Sequence, residues 1–209
     1  MNFEKNDKGG WILPPSTMIN ARMSVPAYSE IGDNCELGNF CRLGYGCELG
    51  NFCRLGYGCE LGDNCELGNF CKLGDGCELG DNCELGNFCK LGDGCNLGDG
   101  CNLGNRCRLG DGCRLGDGCR LGDGCEMGSC LTLGRDCHME GVRVIRFMTM
   151  ANVDGSGRQL LLIRHAEGVL VRAGCFVGDV GEFCDRALAE KKPLYARVVA
   201  HAADCLAVF

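Results

Sequence analysis

The sequence predicts a mainly β fold: a three-sided parallel β-solenoid followed by a small α+β module. Three observations carry this. A six-residue unit, x-x-Cys-x-Leu-Gly, repeats without insertion or deletion from Cys35 to Glu126. A slower period of three units overlies it: Asn51-Phe52-Cys53-Arg54 returns as Asn69-Phe70-Cys71-Lys72, as Asn87-Phe88-Cys89-Lys90 and as Asn105-Arg106-Cys107-Arg108. Beyond Gly141 the unit is gone. A fixed period sets the class of fold before any local propensity is weighed.

Within one unit, Cys and Leu stand two residues apart and point to the same side of an extended segment, while the residue between them, usually charged, points away. Gly breaks the strand. A corner follows at Asp, Asn or Tyr with Gly or Asn, and Gly, Asp and Asn tolerate the φ above zero that a sharp corner tends to need. A strand this short cannot bury its Cys/Leu face alone, so successive segments wind round a common axis and stack. Three units per turn make residues three units apart neighbours. At ~4.8 Å between adjacent strands, the block from Ser29 to about Glu140 makes about six coils and a rod about 30 Å long.

Ile31-Gly32-Asp33-Asn34-Cys35-Glu36 and its successors resemble the aliphatic-Gly-x-x-small-x unit of the left-handed parallel β-helix, found in the hexapeptide-repeat acyltransferases. The resemblance covers a little over half of the chain, and it implies the left hand of the coil. Those enzymes build their sites between subunits, with a His base and usually a loop thrown out from a coil. This chain has no His before His138 and no insertion in the block, so it departs from that pattern where the activity needs it. His138, His165 and His201 also lack the clustered spacing of the metal-binding carbonic anhydrases that share the coil.

Taken in order, residues 1 to 28 form an N-terminal segment and a capping coil. Residues 1 to 10 are polar and are expected to be loose, whereas Leu13, Ile19, Val25 and Ile31 already keep the six-residue phase. Pro14, Pro15 and Pro26 suit corners, where no ladder donor is lost. Residues 29 to 150 form the hexapeptide-repeat β-helix; after Glu126 the phase survives, with Leu131 in the Cys seat, while Cys130 is out of register. Residues 151 to 209 form the second module, opened by the turn-rich Asp154-Gly155-Ser156-Gly157. Arg158 to Arg164 and Val169 to Ala173 are apolar runs around His165-Ala166-Glu167-Gly168, a hairpin signal. Asp179 with Glu182 makes a helix start, Lys191-Lys192 its C-terminal turn, and Pro193 opens a second helix running toward Leu206.

Composition narrows the function. The 209 residues are 45% hydrophobic and carry a net charge of −7, which argues against direct binding to nucleic-acid backbone. The cysteines number 21, an odd count, at a packing spacing, and the N-terminal Met-Asn-Phe-Glu-Lys-Asn-Asp-Lys run carries no apolar signal core. A reducing, cytoplasmic setting without a membrane span is the expectation. Each Cys reads as a small buried hydrophobe. A column of thiols does not converge on one centre and Leu fills the axis, so no metal site, cofactor or catalytic residue is assigned.

The outward faces carry the candidate site. Residues one turn apart form columns: Phe52, Phe70 and Phe88, ending in Arg106, and beside them Arg54, Lys72, Lys90 and Arg108. Glu48, Glu66 and Glu84 form an acidic column, Glu60 and Glu78 another. Stacked like charges repel by about 1 kcal/mol each even in water, and an apolar stripe flanked by charge has the character of an association surface. Phe40, Tyr45 and Tyr57 lie on other corners. The expected function is that of a non-enzymatic structural or interaction protein, a homo-oligomer, with a dimer favoured, paired through the Phe column face, or a binder of another protein. Two alternatives remain: a regulatory binder whose acidic columns imitate nucleic acid, and a divergent hexapeptide-repeat acyltransferase with a site near His138.

Overall fold

The computed structural model describes residues 3–128, 131–134, 136–139, 142–144, 146–151, 159–173 and 176–207. The chain divides into two compact units, Met1–Gly141 and Val142–Phe209.

The first unit is a parallel solenoid of about seven turns built on three ladders. Along the first run Trp11–Leu13, Glu30–Ile31, Glu48–Leu49, Glu66–Leu67, Glu84–Leu85, Asn102–Leu103, Arg120–Leu121 and His138–Met139. The second holds Met18–Ile19, Glu36–Leu37, Arg54–Leu55, Lys72–Leu73, Lys90–Leu91, Arg108–Leu109 and Glu126–Met127. The third holds Ser24–Val25, Arg42–Leu43, Glu60–Leu61, Glu78–Leu79, Asn96–Leu97, Arg114–Leu115 and Thr132–Leu133. The six coils expected from Ser29 are thus preceded by one N-terminal turn, whose Leu13, Ile19 and Val25 pair in register with Ile31, Leu37 and Leu43.

Burial follows the period-two reading. Cys35 to Cys119 are wholly buried in their repeat positions and the leucines between them nearly so, while the residue between each Cys and Leu faces outward. Each buried Leu contributes about 1.5–3 kcal/mol, realised only when the turns above and below close the interior.

The glycine after each Leu has a different cause from the corner φ. At Gly68 an added Cβ would stand 2.7 Å from Asn51 N and 2.7 Å from Gly50 C, so the backbone of the preceding turn lies directly beneath it. The positive φ sits two residues later, in the second corner seat. Gly58 holds it at 63° and Asn64 at 56°, as residue type predicts, but Phe40, Phe52, Phe70, Phe88 and Arg106 hold it too, at 56° to 59°.

Corner amides are satisfied by the turns on either side. Phe70 N donates upward to Asn87 O at 2.9 Å. The Asn or Asp in the first corner seat accepts, through its side-chain oxygen, the backbone N–H one turn later: Asn69 N to Asn51 Oδ1 at 2.8 Å, Asn87 N to Asn69 Oδ1 at 2.7 Å, Asn105 N to Asn87 Oδ1 at 2.7 Å. The other two corners repeat this with aspartates, as in Asp99 N to Asp81 Oδ1 at 2.8 Å and Asp111 N to Asp93 Oδ1 at 2.8 Å.

The N-terminal segment is tied down, contrary to the loose run expected. Glu4–Lys5 pairs antiparallel with Trp11–Leu13, Asn6 Nδ2 donates to Tyr28 O at 2.7 Å, and the Phe3 and Trp11 rings lie 5.4 Å apart. Ser29 stands in the Cys phase, fully buried, where its hydroxyl accepts from Trp11 N at 2.8 Å and donates to Pro26 O at 2.8 Å.

The second unit is an antiparallel sheet in the order Arg146–Ala151, Gln159–His165, Gly168–Ala173, Phe176–Asp179, with helices α1 (Val180–Ala189) and α2 (Pro193–Ala207). The expected hairpin is present, with His165 opposite Gly168. The capping box is formed: Glu182 N donates to Asp179 Oδ1 at 2.8 Å and Asp179 N to Glu182 Oε2 at 3.1 Å. Leu160, Leu162 and Val171 of the sheet share a core with Phe183, Ala187, Tyr195 and Val199 of the helices. Two strands go beyond the sequence reading. Arg146–Ala151, assigned there to the repeat block, pairs along its whole length with Gln159–His165, so the division falls at Gly141/Val142 and not after residue 150. Phe176–Asp179, with Gly178 inside it, pairs with Gly168–Ala173. The Asp154-Gly155-Ser156-Gly157 turn, Cys130 and Arg158 lie outside the described residues.

Candidate interaction ridge

Going once round the coil, the chain passes from the first ladder through the Asn51–Phe52 corner to the second ladder. The corner column therefore forms a ridge between two faces. On it Phe52 and Phe70 stack with ring centroids 5.0 Å apart and planes 4° apart, and Phe70 and Phe88 do the same. Arg106 continues the column, its guanidinium 5.8 Å from the Phe88 ring, a cation–π contact. The rings remain open to solvent, at 52%, 44% and 40% for Phe52, Phe70 and Phe88.

This residue choice is costly in isolation. A left-handed backbone costs an L-residue with a full side chain about 1–2 kcal/mol, and the neighbouring units show that Gly and Asn fill the same seat. Offset stacking returns about 0.5–1.5 kcal/mol per aromatic pair.

The basic side chains stand where the slow period put them. Arg54, Lys72, Lys90 and Arg108 are in register on the second ladder. Its two ends are neutralised within the chain: Arg54 pairs with Glu36 at 2.6 Å and Arg108 with Glu126 at 2.9 Å. Lys72 and Lys90 between them have no carboxylate partner among the described residues. Across the ridge, the first ladder aligns Glu30, Glu48, Glu66 and Glu84 in register.

Phe40 and Tyr57 pair edge-to-face at 5.3 Å on the corner between the second and third ladders, and Tyr28 and Tyr45 at 5.5 Å on the corner between the third and first. They are local aromatic pairs on separate corners. The Asx ladder at the corners was not anticipated, although its signal, Asn or Asp in the first corner seat of nearly every unit, is plain in the sequence.

The interior thiols have hydrogen-bond work as well as packing. Cys71 Sγ donates to Gly50 O at 3.3 Å and Cys89 Sγ to Gly68 O at 3.3 Å, a pattern that recurs up the coil. The Cys59 thiol bonded to it, together with burial, pushes Cys77 up to about 11. No disulfide joins the cysteines among the described residues, and no group of three or more His, Cys, Asp or Glu side chains among those residues is placed to hold a metal ion. His138 lies on the first ladder opposite Arg120, and its Nδ1 is buried without a hydrogen-bond partner among the described residues. His165 is in the hairpin and His201 on α2. No helix among the described residues is long and apolar enough to cross a membrane.

The family described as bacterial transferase hexapeptide (six repeats) matches residues 58–93 and 94–129. No curated protein and no solved structure matches the chain. Both matched segments fall inside the unbroken run of hexads on three parallel ladders, and by that run the coil belongs to the hexapeptide-repeat superfamily of left-handed parallel β-helices.

Proposed function

We propose that this chain is a non-enzymatic structural or interaction protein, a rigid β-helical rod that self-associates through the Phe52–Phe70–Phe88 ridge and the basic column beside it, with a dimer as the assembly. The observation that carries it is the ridge itself: three large apolar rings, strained in backbone and 40–52% exposed, line up without interruption. Strain at such seats points to a role beyond folding, and an isologous contact would cover the rings. The non-enzymatic part is supported by the hexads, which run from Cys35 to Glu126 without an inserted loop. The buried thiols suit a reducing, cytoplasmic setting.

Light scattering of the purified chain tests this directly. An oligomer is expected, and Phe70→Glu should dissociate it while the circular dichroism of the coil stays unchanged. An oligomer indifferent to Phe70→Glu places the contact elsewhere.

A second reading, a divergent acyltransferase using His138, is favoured by the description of the matching family. It requires coenzyme A binding by calorimetry that is lost in His138→Ala.

A further inference from the structure

The ridge separates two oppositely charged faces, and this sets the polarity of the association proposed above, on which the inference rests. In three successive turns the order round the coil is Glu48, Phe52, Arg54; then Glu66, Phe70, Lys72; then Glu84, Phe88, Lys90. The acidic and basic ladders thus flank the ridge over the same turns.

We propose that a second copy of this chain packs on the ridge with its coil axis parallel and its N-terminal end at the same level, so that the acidic ladder of each copy runs beside the basic ladder of the other. Symmetry supplies the reason. A two-fold axis parallel to the coil brings ridge against ridge and exchanges the flanks, which sets acid beside base on both sides. A two-fold axis perpendicular to the coil brings ridge against ridge with the coils antiparallel, and then Glu ladder meets Glu ladder and Lys/Arg ladder meets Lys/Arg ladder.

Each ladder already repels itself at the strand spacing. The antiparallel pair doubles that repulsion, whereas the parallel pair relieves it. The groups it relieves are those without partners inside the chain: Glu48, Glu66 and Glu84 on one flank, Lys72 and Lys90 on the other, have no ion pair among the described residues. The ends of the basic ladder, Arg54 and Arg108, are already neutralised by Glu36 and Glu126. Parallel packing also places rings of equal 5.0 Å repeat at matching heights.

Charge reversal on one face, then on both, tests the polarity. Lys72→Glu with Lys90→Glu makes both flanks acidic and is expected to weaken association at least tenfold by sedimentation. Adding Glu66→Lys with Glu84→Lys to the same chain restores opposite flanks, and association should return to within a few-fold of the original. These positions are exposed, and circular dichroism confirms that each variant keeps its coil. In an antiparallel pair the one-face reversal only exchanges one like-charge contact for another, so unchanged association overturns the proposal, as does a loss that the second pair of reversals fails to rescue. A monomeric wild-type chain, or an oligomer untouched by Phe70→Glu, sinks the ridge reading itself; an oligomer lost in Phe70→Glu but indifferent to the charge reversals sinks only the polarity.

Discussion

Phe70 and Phe88 lie with their ring centroids 5.0 Å apart and their planes 4° from parallel, and both reach that position from a backbone φ of 59°. The stack and the strain oppose each other at similar magnitude, about 0.5–1.5 kcal/mol per aromatic pair against about 1–2 kcal/mol per residue. With three strained residues against two stacks, the ridge is a net cost of roughly 0–5 kcal/mol to the folding of one chain, offset only when the exposed ring faces are covered.

Phe52, at the end of the column, stacks on Phe70 alone. In Phe52→Asn the lost stack is balanced by a residue that suits the left-handed seat, as Asn34 and Asn64 already do at 57° and 56°. The thermal midpoint should move by no more than a few degrees while self-association weakens measurably by light scattering. A large fall in the midpoint would show that the column is there for the monomer.

Gly68→Ala should be severe. Its new Cβ meets backbone, Asn51 N and Gly50 C at 2.7 Å each, and neither atom can turn aside as a side-chain tip would. Overpacking of this kind costs about 1–3 kcal/mol, read as a lower urea midpoint. Gly94→Ala, whose Cβ meets nothing within 4 Å but whose φ is 65°, should cost only the left-handed strain, about 1 kcal/mol. Equal losses in the two variants would refute the separate causes assigned to the two glycine seats.

The contrast also shows where the sequence was legible. Cys and Leu two apart declare an inward face, and the return of Asn-Phe-Cys every third unit declares three sides, because both are periodicities and survive without coordinates. The close approach at Gly68 involves a residue one turn away, and nothing local distinguishes it from a corner glycine. The columns Phe52–Phe70–Phe88 and Arg54–Lys72–Lys90–Arg108 followed from the slow period, but the stacked rings did not, since a Phe in a seat usually held by Gly or Asn gives no sign of its φ. Arg146–Ala151 was hidden for another reason: it continues the chain directly from the repeat block, and only its pairing with Gln159–His165 assigns it to the second unit.

Asn69 tests the corner ladder. Its Oδ1 accepts from Asn87 N at 2.7 Å, so Asn69→Ala leaves that amide without its acceptor at a cost of about 1–3 kcal/mol. Hydrogen exchange at Asn87 should accelerate well beyond that at Asn105, whose acceptor Asn87 Oδ1 is untouched. Asn69→Asp retains an accepting oxygen and should keep the protection. Protection that survives in Asn69→Ala would mean that the ladder is incidental to the corners.

Cys77 makes stability fall in alkali. Cys77 is held up to about 11, against 9.0 for an ordinary thiol, by its hydrogen bond with the Cys59 thiol and by burial. Between those two values the unfolded chain has lost this proton and the folded chain keeps it, so the folded state binds more protons and its stability declines as pH rises through that window. Below pH 9 the group is protonated in both states and contributes no slope. Urea midpoints measured across the range should accordingly be flat with respect to this group up to about pH 9 and drop beyond it. Cys77→Ala should reduce the drop. In the native protein at neutral pH, the wholly buried thiols from Cys35 to Cys119 should resist a thiol-reactive reagent that modifies the exposed Cys205, and should react only as the coil unfolds. Rapid modification of the coil thiols in the native state would contradict the closed interior on which the alkaline slope depends.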